Sequence, residues 1–286
     1  MSEDKEMSFI DHLEELRWHI IRSLIAVVLF TIAAFIFSDF IFNKVILGPI
    51  HADFWTYQTL CELGKSMGTK GFCITKFNLM LQNTEMGGQI AIHISYSITI
   101  GIIIAFPYIF WEVWRFVKPA LHLREVEITS GAVFFVTFFF MIGAAFGYYI
   151  LAPFSINFLT NYVISTEIKN DISISSYVST LVMLVLGSSL MFQMPMVVYF
   201  FAKIGIATPL FMRTYRRHSV VTILIISAVI TPADVFTQLL VALPLFVLYE
   251  LSIFVAAYVE KQQKKIALKE EALIEKQPTS LDQMED

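Results

Sequence analysis

Residues 219–258 read SVVTILIISAVITPADVFTQLLVALPLFVLYELSIFVAAY, and this stretch decides the fold. It holds two apolar runs, Ser219–Thr231 and Val235–Tyr258, joined through Thr231-Pro232-Ala233-Asp234. The second run can cross a bilayer, whose hydrocarbon core of about 30 Å takes roughly 20 helical residues. The first is only 13 residues long, which reaches about 20 Å at 1.5 Å per residue. It either crosses a locally thinned bilayer or re-enters on the side it left. The joint carries helix-start chemistry. Thr231 is suited to cap a helix whose first residue is Pro232, with Asp234 as the returning acceptor, so the final helix is predicted to start directly after the turn.

Four more apolar runs lie upstream, at Ser23–Phe42, Gln89–Trp111, Thr129–Ala152 and Tyr177–Ala202. Over the whole 286-residue chain 57% of residues are apolar and 15% charged, with a mean hydropathy of +0.69 and 27 Phe. A soluble globular chain sits nearer 45–50% apolar and about 25% charged, so one water-soluble core cannot absorb this much apolar surface. The same numbers exclude disordered, collagenous and small disulfide-stapled chains. A net charge of −4 offers no basic field for nucleic acid.

Basic residues settle the parity of the crossings. Segments 1–22, 112–128 and 203–218 and the tail after Tyr258 together hold fifteen Lys and Arg, whereas the opposite side holds five: Lys44, Lys65, Lys70, Lys76 and Lys169. Lys and Arg accumulate on the cytoplasmic side. Were the short run re-entrant, the Lys-rich tail would end up outside. The fold expected is an all-α integral membrane protein with six transmembrane helices, both termini cytoplasmic and a short final helical hairpin. Its parts are a cytoplasmic amphipathic N-terminal helix over residues 1–22, a six-helix membrane domain over 23–260 and a cytoplasmic tail over 261–286, expected to be disordered. Residues 1–22 contain six acids and no apolar core of a secretory signal, so the first crossing is expected to direct insertion and to remain.

In the N-terminal segment Phe9, Leu13, Leu16 and Ile20 follow the spacing of one helical stripe. Ser8 and Asp11 supply a capping box, and Asp11, Glu14, Glu15, Arg17 and His19 occupy the other faces. Such a helix is expected to lie on the cytoplasmic membrane surface. The longest outer segment, Asn43 to Gly88, contains both cysteines, Cys61 and Cys73. They could close a disulfide or stay as two thiols, since spacing fixes no distance.

Signs of catalysis are few. CxxC, HExxH, Walker A and GxGxxG patterns are all missing, so neither a metal nor a cofactor is expected. His93 and Ser97 stand one helical turn apart, but nothing marks an oxyanion hole, and packing inside a bundle is the better account. Gly143 and Gly147 form a GxxxG that lets helices approach closely, most simply within one chain. Polar side chains at membrane depth are costly and therefore informative. They are Gln193, with Pro195 predicted to kink the helix beside it; Ser189 one turn earlier; Gln238 in the first turn of the sixth crossing; and Glu250. Bonds between this chain's own helices and a helix from a partner both fit them.

Three motifs carry a family resemblance. His12-Leu13-Glu14-Glu15-Leu16-Arg17 resembles the N-terminal HLxELR motif of the TatC family, the core subunit of the twin-arginine protein translocase. Trp114 to Leu121 resembles its WxFxxPxL motif. Thr231 to Gln238 is similar to its TPxDxxxQ turn, continued by Ala242-Leu243-Pro244 and Glu250. Together they cover roughly residues 8–260.

The resemblance implies a receptor in the cytoplasmic (inner) membrane and no enzymatic reaction. It would recognise two consecutive arginines in the signal peptide of folded cargo and assemble, in several copies, with single-span TatA and TatB type subunits. Transport would draw on the proton-motive force. A guanidinium presents a planar fork of donors that a carboxylate accepts bidentately and a lysine cannot match, so two arginines call for two acids. By the motifs these are Glu15 and Glu125, with Leu16 and Leu13 seating the helix and Arg17 organising the patch. Gln193, Thr231 and Gln238 would dock partner helices. Two departures stand out. Val126 and Glu127 follow Glu125 where relatives carry basic residues, which makes Glu127 a rival acceptor; and Gln193 stands where many relatives have a titratable glutamate. An ion-coupled solute transporter fits less well, since the two sets of three runs look unlike and deep charge is scarce.

Overall fold

The computed structural model describes residues 9–66, 68, 81–118, 131–165, 171–231 and 234–275. Five stretches are long and apolar enough to cross a membrane: Leu13–Ile36, Gly88–Val117, Ala132–Asn161, Ile174–Lys203 and Val235–Lys269. The fifth crossing in chain order is the short one, a helix over Arg216–Ile230. Its 15 residues reach about 22 Å.

The chain forms two compact units, Met1–Gln193 with Ile226–Val241, and Met194–Ile225 with Ala242–Asp286. In the first, α1 (Phe9–Ile36) lies along α3 (Gly88–Val117). Gly101 sets that closeness, because a Cβ there would stand 2.8 Å from the backbone nitrogen of Thr31. In the loop between them, α2 (Trp55–Ser66) packs on the segment around Gly147–Leu151. The Tyr57 hydroxyl donates to the carbonyls of Pro49 (2.9 Å) and Pro153 (3.1 Å), and burial raises its pKa.

The third crossing is α4 (Ala132–Phe146), a wider helical turn at Gly147–Leu151 and α5 (Ala152–Asn161). Its GxxxG meets α6 (Ile174–Met191) within this chain: a Cβ on Gly143 would lie 2.7 Å from the Ser189 Cα, and one on Gly147 2.8 Å from the Leu184 carbonyl oxygen. Ser188 Oγ donates across this contact to the Gly143 carbonyl at 2.8 Å. A two-residue parallel pairing of β1 (Leu81–Gln82) with β2 (Ile172–Ser173) ties the outer loops ahead of α3 and α6. After Met191 the helix breaks at Phe192-Gln193 and resumes as α7 (Met194–Lys203), where Pro195 predicts a kink.

In the second unit Thr208 caps α8 (Pro209–Thr214) by accepting from the Phe211 N–H. There the Tyr249 hydroxyl donates to the Met212 carbonyl, and the Arg216 guanidinium binds the Glu250 carboxylate, both at 2.7 Å. Glu250, the acid singled out in the sixth crossing, is thus half of an ion pair.

Three expectations are corrected. Residues 9–22 do not form a separate surface helix: α1 runs unbroken from Phe9 to Ile36, since nothing around Arg22-Ser23 interrupts a helix of good formers. The tail is not disordered from 261, because the last helix, α10, runs from Val235 to Glu275. Its Lys-, Glu- and Ala-rich sequence favours helix, and Glu260 pairs with Lys264 one turn on at 2.6 Å. Finally, Thr231 does not cap the last helix. Its hydroxyl donates to the Ser227 carbonyl at the end of α9 (Arg216–Ile230), while Asp234 caps α10 by accepting from the Thr237 N–H at 2.6 Å. An Asp directly before the helix is a better N-cap than a Thr three residues earlier. Ser8, Pro232 and residues 276–286 lie outside the described residues. So does Cys73; Cys61 is disulfide-bonded.

Candidate functional site

The N-terminal helix buries a different face from the one its apolar stripe suggests. Leu13 is 48% and Ile20 57% exposed, whereas His19 is 6% exposed and packs on α3. Leu16 and Glu15 are half-buried and Arg17 is exposed. The stripe faces outward because a membrane chain puts apolar side chains toward lipid and polar ones toward its own helices.

What His19 meets is Glu112, a carboxylate only 1% exposed. His19 Nδ1 bonds Glu112 Oε2, and the Tyr108 hydroxyl donates to Glu112 Oε1 at 2.8 Å. On its other side His19 Nε2 lies 4.0 Å from Glu15 Oε1. Glu15, Trp18, His19, Arg22 and Arg115 together line a cleft of about 400 Å³ at the inner end of α1 and α3. Arg115 also lies over the Trp111 ring, 5.6 Å from its centre. Next to the cleft is an apolar groove lined by residues including Leu16, Leu24, Val113 and Phe116. Of the predicted site, Glu15 therefore lines the cleft and Leu16 the adjoining groove, while Arg17 is exposed. Glu125 and Glu127 lie outside the described residues.

Sequence reading missed Glu112 because the second apolar run seemed to end at Trp111. The signal was an acid flanked by Trp111 and Val113 in a helix that continues to Val117; an acid at such a depth is costly unless paired.

The predicted partner-docking residues sit elsewhere. Gln193, at the break between α6 and α7, donates from Nε2 to the Val136 carbonyl at 3.1 Å, and its Oε1 is buried without a partner among the described residues. Thr231 is buried at the end of α9, and Gln238 lies half-buried in the first turn of α10. His93 and Ser97 do not bond one another; the shielded His93 Nε2 and Ser97 Oγ have no partner among the described residues.

Several membrane-length apolar helices, with a charged cleft at the inner end of α1 and α3, define a multi-pass membrane protein. A family model described as Sec-independent protein translocase protein (TatC) matches residues 11–244. A Sec-independent protein translocase protein TatC of Blattabacterium sp. subsp. Periplaneta americana is 37% identical over 92% of this chain and 99% of its own length. TatCy of Bacillus subtilis is 30% identical over 92% and 94%. A crystal structure of the twin arginine translocase receptor TatC superposes with a TM-score of 0.69 at 31% identity, covering 87% of this chain and 99% of that one. The chain belongs to the TatC family of Sec-independent protein translocase proteins.

Proposed function

We infer that this chain is the receptor for twin-arginine signal peptides and the core subunit of a translocase that moves folded proteins across the cytoplasmic membrane on the proton-motive force. One observation carries the reading: the cleft at the inner end of α1 and α3, lined by the half-buried Glu15 carboxylate. A guanidinium reaching Glu15 gains a charge-assisted, directional contact that an ammonium reproduces poorly. Glu125, following α3 in sequence, is the second acceptor. Leu16 seats the helix and Arg17 orders the acidic patch. Gln193, Thr231 and Gln238 receive the membrane helices of TatA and TatB type subunits.

Photocrosslinkers at positions 15 and 125 test this. Both should capture a twin-arginine peptide and fail to capture one whose arginines are lysines. Glu15→Ala or Glu125→Ala should abolish export while membrane insertion persists. Equal capture of the lysine peptide sinks the assignment.

A further inference from the structure

The cleft that holds Glu15 has a cationic half that the receptor reading leaves unused. Arg22 follows Trp18 by one turn on α1, and Arg115 follows Trp111 by one turn on α3. Both arginines are exposed, and both fall within membrane-length apolar stretches, Leu13–Ile36 and Gly88–Val117. A charge there is costly unless it is paired or reaches the interface. Among the described residues neither guanidinium has a carboxylate within ion-pair distance. The pairings of His19 with Glu112 and of Thr31 with Gly101 show that α1 and α3 run in opposite directions. Side chains lean toward the N-terminus of their own helix, so Arg22 leans toward the cytoplasm and Arg115 back into the membrane, and both line one cleft. Of the acids nearby, Glu15 has an oxygen 4.0 Å from His19 Nε2, and Glu112 is 1% exposed and bonded to His19 and Tyr108. The apolar groove adjoins the cleft at His19. It measures about 320 Å³ and leads along both helices into the bilayer, from Leu16 and Phe116 to Val27 and Ile109. Ser23, its one hydroxyl, donates to the His19 carbonyl at 2.9 Å.

We propose that α1 and α3 bind one anionic phospholipid of the inner leaflet, its phosphate between Arg22 and Arg115 and an acyl chain in the groove. The site stands whether or not the chain receives signal peptides. A phosphodiester offers two anionic oxygens to which guanidinium forks donate directionally. Basic pockets between membrane helices on the cytoplasmic side are where anionic headgroups bind, and the loop charge makes this end cytoplasmic. Trp18 and Trp111, 54% and 44% exposed, supply the amphipathic rings found at headgroup depth. Inorganic phosphate would suit the arginines but leave the groove empty. A peptide rich in arginine is a poor match for this half, since Arg22 and Arg115 repel it. A bound phosphate cancels that repulsion, so lipid at the two arginines and peptide at Glu15 are compatible.

Native mass spectrometry of the full chain in a neutral detergent tests this, with phosphatidylglycerol and phosphatidylcholine of identical acyl chains as probes. Wild type should retain one phosphatidylglycerol with roughly tenfold preference over phosphatidylcholine. Arg22→Gln combined with Arg115→Gln should erase the preference. Arg213→Gln, which removes a cytoplasmic arginine of α8, should leave it intact; an equal loss there would reduce the effect to net charge and overturn the proposal. Val113→Trp fills the groove and keeps both arginines, and it should also weaken retention. Unchanged retention in that variant, or displacement of the lipid by an equal concentration of inorganic phosphate, would mean an anion site with no place for a chain, and the proposal fails. Equal retention of the two lipids by wild type overturns it as well, and so does displacement by a twin-arginine peptide, which would give the groove to peptide. Should the variants fail to fold, wild type alone decides. A phosphatidylglycerol with a diazirine on its acyl chain should label residues 16–27 or 109–116, and labelling confined to other segments sinks the site.

Discussion

His19 on α1 and Glu112 on α3 form a hydrogen-bonded pair with both side chains almost wholly buried, closed on one side by the Tyr108 hydroxyl. The pair joins the helix that carries Glu15 to the helix that precedes Glu125. Neither residue belongs to the motifs that identify the family, yet the cleft is built on them.

Removing one partner strands the other. Glu112→Ala should cost about 1–3 kcal/mol, because the buried His19 ring and the Tyr108 hydroxyl both lose their hydrogen-bond partner. Glu112→Gln should cost less, since the amide oxygen still accepts from His19. The double change His19→Phe with Glu112→Leu should recover most of the loss, as replacing both partners of a buried hydrogen bond by apolar groups can be nearly neutral. Thermal unfolding of the four proteins in detergent measures this; an alanine variant as stable as wild type would show that the pair contributes nothing.

Why the sequence disclosed some of this and hid the rest follows from range. Crossing number and orientation depend on run length and loop charge, which are additive along the chain, so even the 15-residue α9 was placed correctly. The interruption beside Pro195 is local backbone chemistry and was equally visible. The burial of His19 depends on which face of α1 meets α3, and the apolar stripe pointed the wrong way because Leu13 and Ile20 stay exposed on the side of α1 away from that contact. Glu112 was hidden by a boundary drawn one residue too early. The second acid, Glu125, was named by motif alone, at a position beyond the described residues.

The joint before the last helix yields a direct contrast. Asp234 accepts the Thr237 N–H, whereas Thr231 bonds back to Ser227. Asp234→Ala should therefore cost about 1 kcal/mol through loss of the N-cap, and Asp234→Asn should retain most of it. Amide exchange in the first turn of α10 should accelerate in the alanine variant only. Acceleration at that turn in Thr231→Ala, with Asp234→Ala unchanged, would restore the threonine as the cap.

Outside the membrane helices, Tyr57 gives a pH prediction. Burial raises its pKa while its hydroxyl bonds two proline carbonyls. The unfolded phenol ionises near pH 10, whereas the folded one stays neutral well beyond that. Stability from this group is thus intact below about pH 10 and is lost as pH rises further. Tyr57→Phe should lower stability at neutral pH by about 0.5–1.5 kcal/mol and flatten part of the alkaline loss. Unfolding curves at pH 8 and pH 11 would show it; parallel curves for the two proteins would refute it.

The GxxxG of the third crossing separates packing within the chain from packing between chains. A Cβ at Gly143 would lie 2.7 Å from the Ser189 Cα, 2.8 Å from the Ser188 carbonyl oxygen and 2.9 Å from the Phe192 Cβ. Two of those three atoms are backbone, which cannot swing aside as a side-chain end can. Gly143→Ala should therefore cost about 1–3 kcal/mol by overpacking, and Gly143→Leu should prevent α4 from seating on α6 at all. If the motif instead served a second copy of the chain, alanine would leave unfolding of the monomer untouched and change only the size of the assembly. Thermal unfolding and light scattering on the same detergent-purified samples distinguish the two, and the packing seen here requires the first to move.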